Sequence, residues 1–329
     1  RMRASMNTLT SARAVGVIAA VLFGLGAHAQ SFPADSSWVP LRCGTQVMTD
    51  AYQDESGAVG ERDLIGHLDA AGDQPTGFRA ADAQYLFLRM RLDDDPIPGG
   101  NPRPYAWGLL VDTDGNLQDY EVQLLANGNG GTVVLYENTQ TTLLNDPTDP
   151  PDEPPVRSYP LSSHARSLRA SGSSYGGNPD YFLDFAIPWQ DLQVVGLSPS
   201  TPVTAWAATS STATTLNGDF ACFDNATGEP TLSGTNPGST VLDPRVDSDR
   251  DGFSDAKELA SGTRPDDPAS RPAGDPDARQ LAGGGGCAAA GEAGVVGWAL
   301  AACAGALFKR RRRRAEGAPP RTSLPLRVR

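Results

Sequence analysis

The chain has 329 residues, 39% of them hydrophobic, with 27 Lys+Arg against 39 Asp+Glu and a formal net charge of −12 at pH 7. That length and apolar content allow one domain with a substantial core plus shorter appendages. The negative balance opposes binding through a phosphate backbone, so nucleic acid is excluded as a partner class.

Arg1, Arg3 and Arg13 precede an apolar run, Ala14 to Gly26, followed by Ala27-His28-Ala29. A basic head, an apolar stretch and a small-x-small site predict a secretory signal peptide over residues 1–29, cut by signal peptidase after Ala29. A buried core helix is the competing reading. Three basic residues lie before Gln30 and nine from Lys309 onward, while Glu292 and Glu316 are the only acids of the terminal parts. The body from Gln30 to Gly286 therefore carries 15 basic and 37 acidic residues, a net of −22. Such acidity suits an exported soluble domain and divalent cations.

Residues 30–235 read as one all-β domain, a β-sandwich. Gln84 to Leu92 alternates, with Tyr85, Phe87, Arg89 and Arg91 on one face and Leu86, Leu88, Met90 and Leu92 on the other. Tyr105 to Val111 and Tyr120 to Leu125 flank the turn residues Asp112-Thr113-Asp114-Gly115-Asn116, which predicts a hairpin. That turn with Asp119 is a second calcium candidate, but it lacks a glutamate at the twelfth position and a plain turn is the stronger reading. Thr132 to Tyr136, Tyr181 to Ile187 and Val203 to Thr209 continue the strands. Pro188 to Val194 predicts one helical turn with proline at its start. Asn145 to Pro155 reads as a proline-acid loop projecting from an edge.

The segments YLFLRMRLDDD, WGLLVDTDG and YFLDFAIPWQDL resemble the family-nine carbohydrate-binding modules and the related DOMON-type sandwiches at scattered positions between Trp38 and about Asp224. Those modules hold a sugar between aromatic rings. The resemblance makes a glycan a candidate ligand and Tyr105, Trp107, Trp189 and Trp206 candidate platforms, but a place in the core is the stronger reading of these rings. His164, in Ser162-Ser163-His164, reads as a surface histidine. No H-E-x-x-H, G-x-S-x-G or phosphate loop occurs, so no catalytic residue is assigned.

Cys43 and Cys222 are the two cysteines of the body. Export into an oxidising compartment predicts a disulfide between them, against two separately buried thiols.

Asp247 to Glu258 reads DSDRDGFSDAKE, with acids at positions 1, 3, 5, 9 and 12 and glycine at 6. This is the ligand spacing of an EF-hand-type calcium loop. Asp247, Asp249 and Asp251 each offer a carboxylate oxygen and Phe253 its backbone carbonyl. Asp255 acts directly or through water, and Glu258 clamps with two oxygens. Ca2+ is thus the predicted cofactor, with a solvated acidic linker as the alternative. Pro244 forbids a long entering helix. With its tail LASGTRPDDPAS, the segment 236–271 resembles a bacterial thrombospondin type 3 repeat over about 24 residues. That resemblance adds Asp266 or Asp267 as a further ligand. One repeat in place of a tandem array implies a single calcium-stiffened spacer.

A Gly-rich linker spans 272–286. Residues 287–314 combine Cys287, the apolar run Ala293 to Phe308 and six consecutive basic residues from Lys309 to Arg314; a tail, 315–329, follows. Sixteen helical residues span about 24 Å, short of a hydrocarbon core near 30 Å. The arginines place that end in the cytoplasm. The layout resembles the MYXO-CTERM sorting tag of myxobacterial surface proteins, which implies processing by a membrane protease near Cys287 and delivery to the cell surface. An ordinary single-pass anchor is the alternative.

Two classes of function follow. The first is an exported, non-catalytic, calcium-binding surface protein whose sandwich binds glycan or mediates adhesion. The second is a surface polysaccharide hydrolase using a carboxylate pair.

Overall fold

The structure, a computed structural model, describes residues 30–274 apart from 56, 58, 69–73, 213, 214 and 266. The expected signal peptide, with its cleavage site at Ala29, and the sorting tag, with Cys287, lie outside the described residues. Among the described residues no helix is long and apolar enough to cross a membrane.

Strands β1 (Val39–Pro40), β4 (Gly77–Ala81), β5 (Tyr85–Leu92), β10 (Ala165–Arg169) and β11 (Tyr181–Pro188) form one sheet, ordered β1-β4-β5-β11-β10. Strands β6 (Ala106–Asp112), β7 (Val122–Asn127), β8 (Thr132–Glu137), β9 (Arg157–Pro160), β12 (Pro202–Ser210) and β13 (Ser239–Val241) form the second, ordered β13-β12-β6-β7-β8-β9. A small ribbon pairs β2 (Arg42–Cys43) with β3 (Gln46–Val47). All pairings are antiparallel. Three short helices punctuate the strands: α1 (Leu161–His164), α2 (Trp189–Leu192) and α3 (Asp255–Ser261).

The two large sheets face each other across one core. Leu86, Leu88, Met90 and Leu92 of β5 and Leu183, Phe185 and Ile187 of β11 meet Trp107, Leu109 and Val111 of β6 and Val122 and Leu124 of β7. Period-two alternation sends these residues inward, as in any sandwich. Both outer faces are partly covered as well. Phe32 and Trp38 pack with Phe87 and Ala186 outside the first sheet, while Leu216, Phe220 and Leu232 pack on Leu110, Leu125 and Trp206 outside the second. The covering explains why β6 and β7 are buried at every position, a pattern that strict alternation does not foresee.

The polar face of β5 is therefore an internal one. Arg89 lies with its guanidinium 4.2 Å from the Trp38 ring centroid and 4.4 Å from that of Phe182. Asp184, fully buried, accepts from Arg89 Nε (2.6 Å) and Nη2 (2.9 Å) and from Arg166 Nε (2.8 Å). A charge removed from water keeps its ionised form only with such partners.

The structure decides between several of the readings. Trp107, Trp189 and Trp206 are buried, and their indole N–H groups donate to Glu61 O, to Asp82 O and, for Trp206, to Leu232 O and Thr235 Oγ1. Tyr105 is half-buried, edge-on to Trp107. The three tryptophans take the core places that were the stronger reading; a two-layer fold has most use for its largest aromatics as filling. The loop 145–155 does not project. Asp149 is buried, Asn145 Oδ1 accepts from Ser233 N at 2.8 Å, and Tyr120 Oη donates to Asp149 O at 2.6 Å. His164 closes helix α1 half-buried, stacked on the Tyr159 ring with centroids 4.6 Å apart.

Cys43 and Cys222 form a disulfide with Cα atoms 5.5 Å apart, closing a sequence separation of 179. It fastens the β2–β3 ribbon to the segment that covers the second sheet.

Candidate metal centre

The loop 247–258 is carried on the sandwich. Strand β13 pairs with β12 from Pro202↔Val241 to Thr204↔Ser239, and α3 lies against β13. The buried Arg79 of β4 donates through Nε to Val241 O (2.7 Å) and through Nη1 to Pro40 O (2.9 Å), binding this edge to the first sheet. Behind the loop, the Phe253 ring is buried, with Lys257 Nζ 4.6 Å from its centroid. Gly262, in the left-handed region at φ 72°, ends α3 as a C-terminal glycine does. The entering side has no helix, as Pro244 requires.

Each early aspartate uses one oxygen to shape the loop. Asp247 Oδ2 accepts from Gly252 N (3.0 Å), Asp249 Oδ1 from Asp251 N (3.1 Å) and Asp251 Oδ1 from Phe253 N (2.9 Å). Gly252 takes φ 97°, which turns the chain back on itself at little steric cost. The other oxygens, Asp247 Oδ1, Asp249 Oδ2 and Asp251 Oδ2, make no hydrogen bond, and the three aspartates bring one oxygen each within 4.8 Å of the others. Glu258 has no exposed surface, and neither of its carboxylate oxygens has a hydrogen-bond partner. Burial, followed by the charges of Asp249, Asp251, Asp255 and Asp247, pushes its pKa up to about 7. Four carboxylates thus converge with little to neutralise them. Arg271 Nε lies 3.1 Å from Asp251 Oδ2. An all-oxygen, all-anionic donor set fits a hard divalent cation.

Asp255 accepts from Ser248 N–H (2.7 Å) and Oγ (2.6 Å), which ties the start of the loop to the start of α3, and its charge acts on Asp249 and Glu258. As the first residue of α3 it stands where a carboxylate also favours the helix dipole. Asp267 pairs with Arg264 and accepts from Ala269 N (3.0 Å). Asp266 lies outside the described residues. Phe253 occupies the seventh position with its N–H already fixed by Asp251, as the spacing requires.

Two further acidic groups could hold a metal ion. In the β6–β7 turn, Asp112 Oδ1 accepts from Asp114 N (3.0 Å) and Gly115 N (2.8 Å), and Glu121 Oε2 accepts from Thr113 N (2.6 Å). Those bonds are those of a side-chain-stabilised turn. Glu121, nine positions after Asp112 and just before β7, supplies the third carboxylate, in a loop longer than the hairpin pattern implied. The second group is Asp50, Asp54 and Asp219. No local motif announces it, because its members lie on opposite sides of the sandwich sequence and only folding brings them together.

No family model, curated protein or solved structure matches the chain.

Proposed function

We propose that this chain is an exported, cell-surface, calcium-binding protein of non-catalytic character, in which the 247–258 loop is a calcium-stiffened joint between a β-sandwich and the surface anchor region. The observation that carries the reading is the loop itself: three aspartates each hold the backbone with one oxygen and leave the other turned to a common point, beside a buried glutamate with both oxygens unpaired. Calcium is favoured over magnesium because an irregular loop with a two-oxygen glutamate suits six to eight oxygens at 2.3–2.6 Å better than a strict octahedron. The basic-apolar segment before Gln30 and the Cys287–Arg314 layout support export and surface delivery. With the three candidate tryptophans packed inside, the sandwich acts through its edges and polar surface, in adhesion or glycan contact.

Calorimetric titration of the full chain with calcium tests the metal assignment. Asp247→Ala with Glu258→Ala should remove one bound ion per chain. Unchanged stoichiometry, or no heat at millimolar calcium in the parent, overturns it. For the surface role, C-terminal peptide mapping of protein released from cells should end near Cys287; peptides beyond Ala293 in the surface-exposed form point instead to a plain anchor.

A further inference from the structure

Four aspartates, Asp50, Asp54, Asp63 and Asp219, are buried where the segment 48–66 meets the segment 219–225. The two segments are stitched by backbone and side-chain bonds: Cys222 N donates to Thr49 O (2.9 Å), Asn225 N to Asp54 Oδ2 (2.9 Å) and Leu64 N to Asp219 Oδ2. Asp63 spends both oxygens on Gln53 N, at 3.1 Å each. The remainder is unbalanced. Both oxygens of Asp50, together with Oδ1 of Asp54 and Oδ1 of Asp219, accept from no N–H or hydroxyl donor, and the Asp50 and Asp219 carboxyls contact each other. Asp50 is 6% exposed and Asp219 0%.

The charged groups acting on Asp50 are Asp219, Asp54 and Asp63, all acids. Arg62, the arginine of this region, is directed to Glu55 at 3.4 Å. Buried carboxylates without a counter-ion are neutralised either by protons or by a bound cation. One oxygen from each of Asp50, Asp54 and Asp219 lies within 4.8 Å of the others. Opposite ligands of one calcium ion stand at most about 5 Å apart, so a single ion reaches all three. Asp50 also lines an open cleft with Thr49, Tyr52, Tyr175 and Phe223, which provides an entry path.

We propose that Asp50, Asp54 and Asp219 hold a structural divalent cation of the calcium class, a second metal site independent of the 247–258 loop. The ion clamps the segment after β3 to the segment that covers the second sheet, next to the Cys43–Cys222 disulfide. Its role is to neutralise the cluster and to lock the two segments together.

The test uses the full chain carrying Asp247→Ala and Glu258→Ala, so that the loop site is already disabled. Calcium content after equilibration at millimolar calcium and gel filtration is compared with and without the added isosteric pair Asp50→Asn and Asp219→Asn. The expected result is one fewer ion per chain. The thermal midpoints of the two proteins should also cross. Asparagines relieve the repulsion, so the variant should melt above its parent in chelator, yet below it in calcium. Equal ion content in the two proteins, or a variant that is the more stable under both conditions, overturns the proposal. The latter is the behaviour of a proton shared between Asp50 and Asp219. A variant that melts below its parent in chelator as well refutes the repulsion on which the site is argued.

Discussion

Replacing Asp184 with alanine removes the anion that makes a charged layer possible outside the first sheet. Asp184 is fully buried and takes three charged hydrogen bonds, two from Arg89 and one from Arg166. Without it, Arg89, 3% exposed and held between two aromatic rings, keeps only its 3.1 Å contact with Asp35, whose side chain is 81% exposed. Stranding one member of a buried pair costs about 3–5 kcal/mol. Asp35→Ala, by contrast, deletes a contact that water screens at its outer end and should cost roughly 0–1 kcal/mol. Urea unfolding followed by tryptophan fluorescence measures both from midpoints at constant slope. The paired replacement Arg89→Met with Asp184→Leu should recover most of the loss, because the cost lies in an unpaired charge and not in missing volume. An Asp184→Ala loss below about 1 kcal/mol, or a double variant no better than the single one, would refute the reasoning.

Three further outcomes are expected. Cys43→Ser with Cys222→Ser opens a closure of 179 residues and should lower stability by about 2–5 kcal/mol in non-reducing urea unfolding; no difference from the oxidised parent would show that the bond is not made. Gly108→Ala places a Cβ against the Leu124 carbonyl of the adjacent strand and should cost roughly 1–3 kcal/mol by the same assay, whereas a neutral result means that β6 and β7 can part locally. Asp149 has its pKa lowered: burial works upward, but hydrogen bonds from Thr142, Asn138 and Leu143 outweigh it. A depressed carboxylate adds stability that is present above its unfolded pKa of about 3.9 and lost as pH falls through the lower folded value. The gap between wild type and Asp149→Ala should therefore be constant near neutrality and shrink below about pH 4, and a gap that widens in acid contradicts the assignment.

The strands and the loop at 247–258 could be read directly because both are local codes. Period-two alternation in Gln84–Leu92 names an inward face whatever lies opposite, and an acid at every second position before a glycine specifies a turn with convergent carboxylates. Residue type and spacing are enough there. The expected export and the pair of body cysteines likewise pointed to a bond that the folded chain makes. Local pattern could not say what covers a sheet's outer face. The alternation put Arg89 on one face with Tyr85, Phe87 and Arg91, and only the fold brings Trp38, Phe182 and Asp184 from distant parts of the chain around it. The same applies to Trp206, whose burial depends on Leu216, Phe220 and Leu232 laid over the second sheet. The Asp50, Asp54 and Asp219 cluster is the clearest case. Carboxylates up to 169 positions apart in the chain become neighbours only through long-range contacts, and the burial that makes them chemically significant is a property of the folded molecule alone.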